Sequence, residues 1–576
     1  MPATGPSTCR FDPFCEKHHW LLVLVILALL HQITWGATIA KVGFFTDEWE
    51  LFGILHFVPH DIISEITRVL QHERFAVRPL LACILGALYY VFGDQPYGYH
   101  LLNQIVEILG AFFLYLAINR LCKFKLLAFS AAVLFLLYPN HDISHYHVTA
   151  MSAQMALTLF NLCFYLFVCG VQRKAQSYLW FSAICYFLGL SIYELCMPLF
   201  FLLAMAAVYI LTFEEKSSIK AILRRVFALC LPYIVVLALF VAYRMLILPL
   251  IGSKPVYRPG FQWNHFCAVY SQGIQLTLLP QFFIHMGAKA GQDLADGFSR
   301  IMAVKVTFGL FAVGCGLFVL KDQFVAKAGN RSAKNMQYLC LFLMGLIAVL
   351  LGYAPYSLAL DYLPCLDSGY NRINQASSLG ASICLAAFIC GLAHLVVRRF
   401  TYQKIGVALF LLPLTGLFVL ASWQYSKAWL ASSVMQNRII SQIKNHSAQI
   451  KLADSLILAG CPRYVMWAPL FDSVWDFRSM LRIVLNDHEA SGGVVSDRMK
   501  IEGEQLKDLF GQQLLGKYDF KNMVILVPSG EVIYRVNNAQ EFIAIVQRYG
   551  FGFDLEQTTI DRWKVELRAS QGDRKD

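Results

Sequence analysis

Residues 20–48 read WLLVLVILALLHQITWGATIAKVGFFTDE. The run from Trp20 to about Ala40 is apolar enough, and long enough as a helix, to cross a hydrocarbon core of roughly 30 Å. No small-residue cleavage pattern ends it, so it reads as a retained first span rather than a signal peptide. Arg10 and Lys17 precede it, which puts the amino terminus inside. Just past its far end stand two carboxylates, Asp47-Glu48.

The rest of the chain agrees with a membrane protein. It has 576 residues, 57% hydrophobic and 15% charged, with a mean hydropathy of +0.54. A soluble protein of this size needs more charge to cover its surface. The net charge of +11 collects in short loops, with no basic patch interleaved with aromatics, so nucleic acid is excluded as a partner. Most of the sixteen Cys, such as Cys163, Cys169, Cys185, Cys230, Cys384 and Cys390, lie in apolar runs as packing residues. There is no CxxC, and Cys267, Cys365 and Cys461 form no framework, so neither structural zinc nor an obligatory disulfide is expected.

Eleven spans follow, at about 20–40, 98–119, 126–139, 149–170, 177–193, 195–213, 226–248, 301–320, 337–354, 377–397 and 405–421. Alternate connections hold Arg120/Lys123/Lys125, Arg173/Lys174, Lys216/Lys220/Arg224/Arg225, Lys321/Lys327/Arg331/Lys334 and Arg398/Arg399/Lys404, which makes them cytoplasmic. Residues 79–92 are apolar but short, and a crossing there would flip every later basic loop. They are expected as a helix on the outer interface. Residues 177–213 are too long for one span and are expected to turn outside near Tyr193-Glu194. In the first outer loop, Ile62, Ile63, Ile66, Val69 and Leu70 follow helical spacing behind Asp61 as N-cap, an amphipathic surface helix.

Three regions result: a cytoplasmic amino terminus at 1–19, a transmembrane domain at 20–421, and a small α/β domain at 422–576 outside the cytoplasm. The tail has strand patterns at 455–459 and in a hairpin of 523–528 with 531–535, and helical patterns at 432–450, 502–514 and 539–549. It carries no GxGxxG, Walker or nucleophile-elbow sequence. The fold class is therefore mainly α, a polytopic membrane helical bundle with surface helices in the first outer loop.

Asp47-Glu48 is the pair best placed for chemistry. A carboxylate partly withdrawn from water beside an apolar helix end can serve as a general base. Acids also favour the first turn of a helix, so a capping role competes evenly. His141, Asp142, His145 and His147 form a dense group, of which His141, Asp142 and His145 could hold a divalent metal ion, although the spacing matches no known metal motif. Glu107, inside a span in NQIVEIL, can equally pair with another helix and is kept out of the site.

In the order and sidedness of these parts the chain resembles the GT-C glycosyltransferases, multi-span enzymes whose donors are polyprenyl-phosphate-linked sugars. The parts are Asp47-Glu48 opening the first outer loop, Arg78-Pro79 before the second span, Tyr99-His100 and Asn103 entering it, Asp142 in the second outer loop, Glu194 at a later hairpin tip, and Arg372 in GYNRIN. The resemblance covers roughly residues 20–420. It implies Asp47 as catalytic base with Glu48 orienting the acceptor or tuning the Asp47 pKa, and Arg78, His100, Asp142, Glu194 and Arg372 as substrate-binding residues. It further implies a polyprenyl-phosphate-linked sugar donor, a glycan or glycolipid acceptor, membrane lipids as surroundings, a divalent metal ion as the one cofactor to consider, since some GT-C enzymes are metal-dependent, and a bacterial inner membrane with the site facing out. The outer cations Arg372, Arg78, Arg258 and Lys254 are candidates for the leaving phosphate, since Arg offers bidentate contacts. The chain departs from oligosaccharyltransferases in lacking a WWD-type signature, so a protein acceptor is not implied. A polysaccharide polymerase or ligase would place its site in a late Arg- and His-rich loop. A lipid-linked-sugar flippase or transporter would show charges at mid-membrane and an internal repeat.

Overall fold

The computed structural model describes residues 12–216, 218–250, 260–295, 297, 299–320, 331–367, 371–397, 400–510 and 513–549. Of the residues singled out above, Arg10, Lys254, Arg258, Lys321, Lys327, Arg398 and Arg399 lie outside them.

Among the described residues nine helices are long and apolar enough to cross a membrane, from His18–Ile39 to Tyr402–Asn445. The protein is thus an integral, multi-pass membrane protein. The other two expected spans are the shorter helices Lys125–Leu137 and Gln176–Ile192. The first of these is buried along almost its whole length inside the bundle. A helix enclosed by protein has no bilayer thickness to match, which is why a run this short is stable there.

The basic connections gather at one end. Lys123 Nζ lies 3.2 Å from Glu214, Gln172 Nε2 donates to Arg120 O and to Glu214, and the Phe124 ring stacks on Tyr338. At the other end stand the helices of the first outer loop, Asp47–Leu55, Ile62–Gln71, Glu73–Ala76 and Pro79–Phe92. Asp61 caps the second of these, accepting from Ser64 N at 2.9 Å. Pro79 occupies the first turn of the last, where its missing N–H costs nothing. The turn at Tyr193-Glu194 falls where the length argument puts it, as a short 3-10 segment Glu194–Leu199 between two helices.

The tightest helix pair is Arg331–Tyr353 against Gln375–Val396. A Cβ built on Gly345 would stand 2.5 Å from Cys384 N, and one on Gly380 would stand 2.3 Å from Val349 N. Backbone meets backbone there, the use membrane helices make of small residues. That contact fixes the turn Asn371–Asn374, which carries Arg372.

The last long helix runs unbroken from Phe400 to Asn445. The expected boundary at 421/422 therefore falls inside a helix, which continues past the end of the apolar run. Beyond it a four-stranded sheet has the order Gly492–Val494, Ser455–Leu458, Met523–Val527, Val532–Val536, with the last pair antiparallel as the expected hairpin. The helix Ala539–Arg548 matches its pattern. The expected helix at 502–514 is instead an antiparallel meander of Met499–Glu502, Gln505–Phe510 and Gln513–Asp519. Leu506 and Asp508 both face inward there, and a charged residue on the buried face hides the period-two signal. The helix Val474–Leu485 was not expected from the sequence. It packs on the outer-loop helix Asp47–Leu55, with Ser479 Cβ only 2.7 Å from where a Cβ on Gly53 would stand. The α/β domain and Asp47 therefore share one end of the bundle.

Candidate functional site

The site begins at a strained residue. Thr46, with φ 44° and ψ −119°, precedes the helix Asp47–Leu55. A β-branched residue rarely occupies the left-handed half of conformational space, so its surroundings must hold it there. The Thr46 hydroxyl bonds His147 Nε2, and His147 Nδ1 lies 2.8 Å from the Thr149 hydroxyl. Glu48 reaches back to accept from Phe45 N at 2.7 Å and forward to accept from Val148 N. The first outer loop is thereby fastened to the second.

Asp47 and Glu48 occupy opposite environments. Glu48 is fully buried, and burial drives its pKa well above the usual carboxylate range, opposed by the backbone N–H groups it accepts from. Its oxygens are committed to backbone, so it positions the loop. The Asp47 side chain is 37% exposed, with Arg74 Nη1 at 3.3 Å from Oδ1. The same Arg74 nitrogen lies 2.9 Å from Glu50 Oε2, and the Trp475 ring of the α/β domain stands 5.9 Å from the Arg74 guanidinium.

Beside this pair the expected cations assemble. Arg78 makes a two-point contact with Glu194, both hydrogen bonds 3.1 Å long, and lies over the Tyr193 ring at 4.1 Å. Burial works against the charged form of Arg78, and the Glu194 carboxylate more than offsets it, holding the guanidinium above its ordinary pKa. Arg244 lies 3.7 Å from Glu194 on its other side. Arg372 stands among Tyr193, Tyr356 and Tyr362 and within electrostatic reach of Asp47 and Arg78. The structure thus brings together Asp47, Arg78, Glu194 and Arg372, four residues from distant parts of the chain.

The remaining candidates lie deeper. His100 is buried and props the loop before Thr46, its Nε2 3.2 Å from Gly43 O. Asp142 is buried and accepts from Trp429 Nε1 at 2.6 Å and from Asn371 Nδ2. Burial raises its pKa to about 7, opposed by those two hydrogen bonds. Burial also lowers the His141 and His147 pKa values to about 3 each, which keeps both rings neutral. His141, Asp142 and His145 do not converge as a metal set: His141 Nδ1 turns to Asn140 and Asp142 to Trp429. Among the described residues the group with converging ligand atoms is His31, Glu107 and His145. Glu107, set aside on sequence alone, pairs with both histidines.

Sequence reasoning missed Arg74, Glu50, Arg244 and Trp475. Arg74 had a signal, since it lies four residues before Arg78 in HERFAVR and so shares its side of the loop. Arg244 had another, as a lone cation within the apolar run VAYRMLIL. Trp475 had none, because the helix that carries it was not expected.

Chemically, the cluster offers one partly exposed carboxylate and a group of guanidiniums facing the same space. A general base and guanidiniums able to pair with an anionic leaving group are thus close together.

No family model matches this chain, and no curated protein matches it. Among solved structures it is similar to the oligosaccharyltransferase of Archaeoglobus fulgidus, solved with a tethered acceptor peptide containing an NVT sequon, at 15% identity and a TM-score of 0.39. That match covers 83% of this chain, which spans 64% of the archaeal protein's length. It is also similar to ArnT of Cupriavidus metallidurans bound to undecaprenyl phosphate, at 12% identity and a TM-score of 0.31, covering 81% of this chain and 85% of that one. The apo form of ArnT gives 14% identity and a TM-score of 0.34, with coverage of 82% and 85%.

Proposed function

We propose that the protein is an inverting GT-C-type glycosyltransferase that moves a sugar from a polyprenyl-phosphate carrier to a glycan or glycolipid acceptor on the outer face of the membrane. The observation that carries this reading is the grouping of a half-exposed Asp47 with Arg372, Arg78 and Glu194 at the bundle end away from the basic connections. Asp47 takes the proton of an acceptor hydroxyl as that oxygen bonds to the anomeric carbon. The bond from that carbon to the phosphate oxygen breaks, the electron pair leaves with the lipid phosphate, and the sugar configuration inverts. Negative charge grows on the departing phosphate, where Arg372 and Arg78 stabilise it. Glu194 holds Arg78 in place and keeps the cradle from carrying too much positive charge before the donor arrives.

The membrane in question, in this reading, is a bacterial inner membrane with Asp47 and the α/β domain outside. The partners are the lipid-linked donor, the acceptor and the surrounding lipids. The test is Asp47→Asn in a cell lacking the native protein, read by mass spectrometry of envelope glycans. The variant should insert and accumulate normally while the sugar is missing. Near-normal transfer by Asp47→Asn overturns the assignment.

A further inference from the structure

Below the outer loops, three side chains converge that the reaction above does not use. His31 ends the α-helix Asp12–His31 of the first span, and the π-helical stretch Gln32–Gly36 follows it. Such a bulge rotates the residues after it, a feature common at functional sites. Glu107 comes from the second span and His145 from the second outer loop. Glu107 Oε2 lies 2.5 Å from His31 Nε2 and 2.8 Å from His145 Nδ1. All three residues are at most 3% exposed, and their ligand-capable atoms fall within 4.8 Å of one another.

The surroundings are built to hold this arrangement. Asn103 Nδ2 donates to Glu107 Oε1 at 3.0 Å and to Ser144 O at 2.7 Å. Trp35, placed by the π segment, stacks on the His145 ring at 3.9 Å. The outward nitrogens, His31 Nδ1 and His145 Nε2, are buried without a hydrogen-bond partner among the described residues. The Glu107 carboxylate keeps a proton on His31 Nε2 and on His145 Nδ1; a metal ion would displace those protons, and the outer nitrogens, held by no partner among the described residues, can take them up. A small cavity bordered by Glu107, His141, His145 and Gln154 gives room for about one water molecule beside the group.

We propose that His31 Nε2, Glu107 Oε2 and His145 Nδ1 bind a zinc-class divalent metal ion that staples the first span, the second span and the second outer loop together. Two imidazoles and one carboxylate are a familiar ligand set for such ions. Bonds of roughly 2.0–2.1 Å in a tetrahedron separate ligand atoms by about 3.3 Å. The two Glu107 separations, 2.5 and 2.8 Å, need to open by about 0.8 and about 0.5 Å, and the two ring nitrogens, within 4.8 Å of each other, need to settle at the same spacing, which side-chain rotations supply. The cavity leaves the fourth position to water, and Asn103 and Trp35 orient the ligands from behind. The ion would fix the loop that presents Asp142 and His147 without touching substrate. This inference does not rest on the proposed transfer reaction.

The test uses the full chain, purified in detergent, stripped with a chelator and titrated with Zn²⁺ by calorimetry, with bound metal counted by mass spectrometry. One ion per chain is expected, with a rise in Tm, and Co²⁺ in its place should show the visible bands of a four-coordinate site. Glu107→Gln and, separately, His31→Gln should weaken Zn²⁺ binding roughly tenfold or more and lose the Tm rise. A wild-type chain that takes up no stoichiometric Zn²⁺ overturns the proposal, and that result needs no variant to fold. Zn²⁺ held equally well by Glu107→Gln also overturns it, because the ion then sits at other histidines. Activity plays no part in these readings, so they stand apart from the fate of Asp47→Asn.

Discussion

Arg78 and Glu194 face each other through two parallel hydrogen bonds, Nε to Oε2 and Nη2 to Oε1. They join the first outer loop to the tip of a hairpin more than a hundred residues later. Their side chains are 20% and 23% exposed, enough burial for the pair to matter and enough exposure for a phosphate to reach it. Arg78→Lys keeps the charge and loses the two-point geometry, so transfer should fall about tenfold or more while the protein is still produced. Removing one partner of a buried pair costs about 3–5 kcal/mol, and partial exposure here lowers that to about 2. Glu194→Gln should therefore lower Tm and weaken transfer, less completely than Asp47→Asn. Unchanged Tm and transfer in Glu194→Gln would show that the pair is ornamental.

Glu48 predicts a different phenotype from its neighbour. Both of its oxygens accept backbone N–H groups, from Phe45 and Val148. In Glu48→Gln the amide nitrogen must oppose one of those donors, leaving a buried N–H unpaired at a cost of about 1–3 kcal/mol. Glu48→Gln should thus lower Tm and production together, whereas Asp47→Asn should spare both. Thermal scans of the two variants side by side separate a positioning acid from a reacting one.

Asp142 gives a pH signature with a definite sign. Its folded pKa of about 7 lies above the ordinary 3.8, so the folded state keeps a proton that the unfolded chain has released. Stability from this group is full below about pH 4 and is lost as pH rises to about 7, roughly 2–4 kcal/mol over the window at most. Asp142→Asn removes that titration. The Tm advantage of the wild type over Asp142→Asn should shrink between pH 4 and 7 and stay level above. An advantage that instead grows with pH contradicts the buried, protonated state.

Much of this arrangement is legible in the sequence. Charge parity is what sets Pro79–Phe92 apart from the expected spans, and length alone located the turn at Tyr193-Glu194. Sidedness then brought Asp47, Arg78, Glu194 and Arg372 to one end. Partnership was not legible: Glu107 as an isolated acid gives no hint that His31 and His145 meet it, because the π segment that aims the first span has no sequence signature beyond Gly36. The meander at 499–519 was hidden by Asp508, a charge on the buried face. Packing contacts such as Trp475 over Arg74 depend on a domain docking that no local pattern encodes.

Gly380 tests whether helix packing sets the cation cradle. Its missing Cβ would stand 2.3 Å from Val349 N and 2.6 Å from Gly345 O, both backbone atoms that cannot swing aside. Gly380→Ala must therefore push the helix Gln375–Val396 away from Arg331–Tyr353, at about 1–3 kcal/mol for an overpacked contact. Arg372 sits in the turn that opens the displaced helix, so the shift should reach the phosphate side of the site. Small displacements of positioning groups cost rate out of proportion to stability, and transfer should drop several-fold even where Tm falls modestly. Gly391 lies on the same helix, but a Cβ there meets only the Tyr338 side chain, at 3.4 Å. Gly391→Ala should leave both Tm and transfer near the wild type. Equal behaviour of the two alanine variants would break the link between this helix contact and the placement of Arg372.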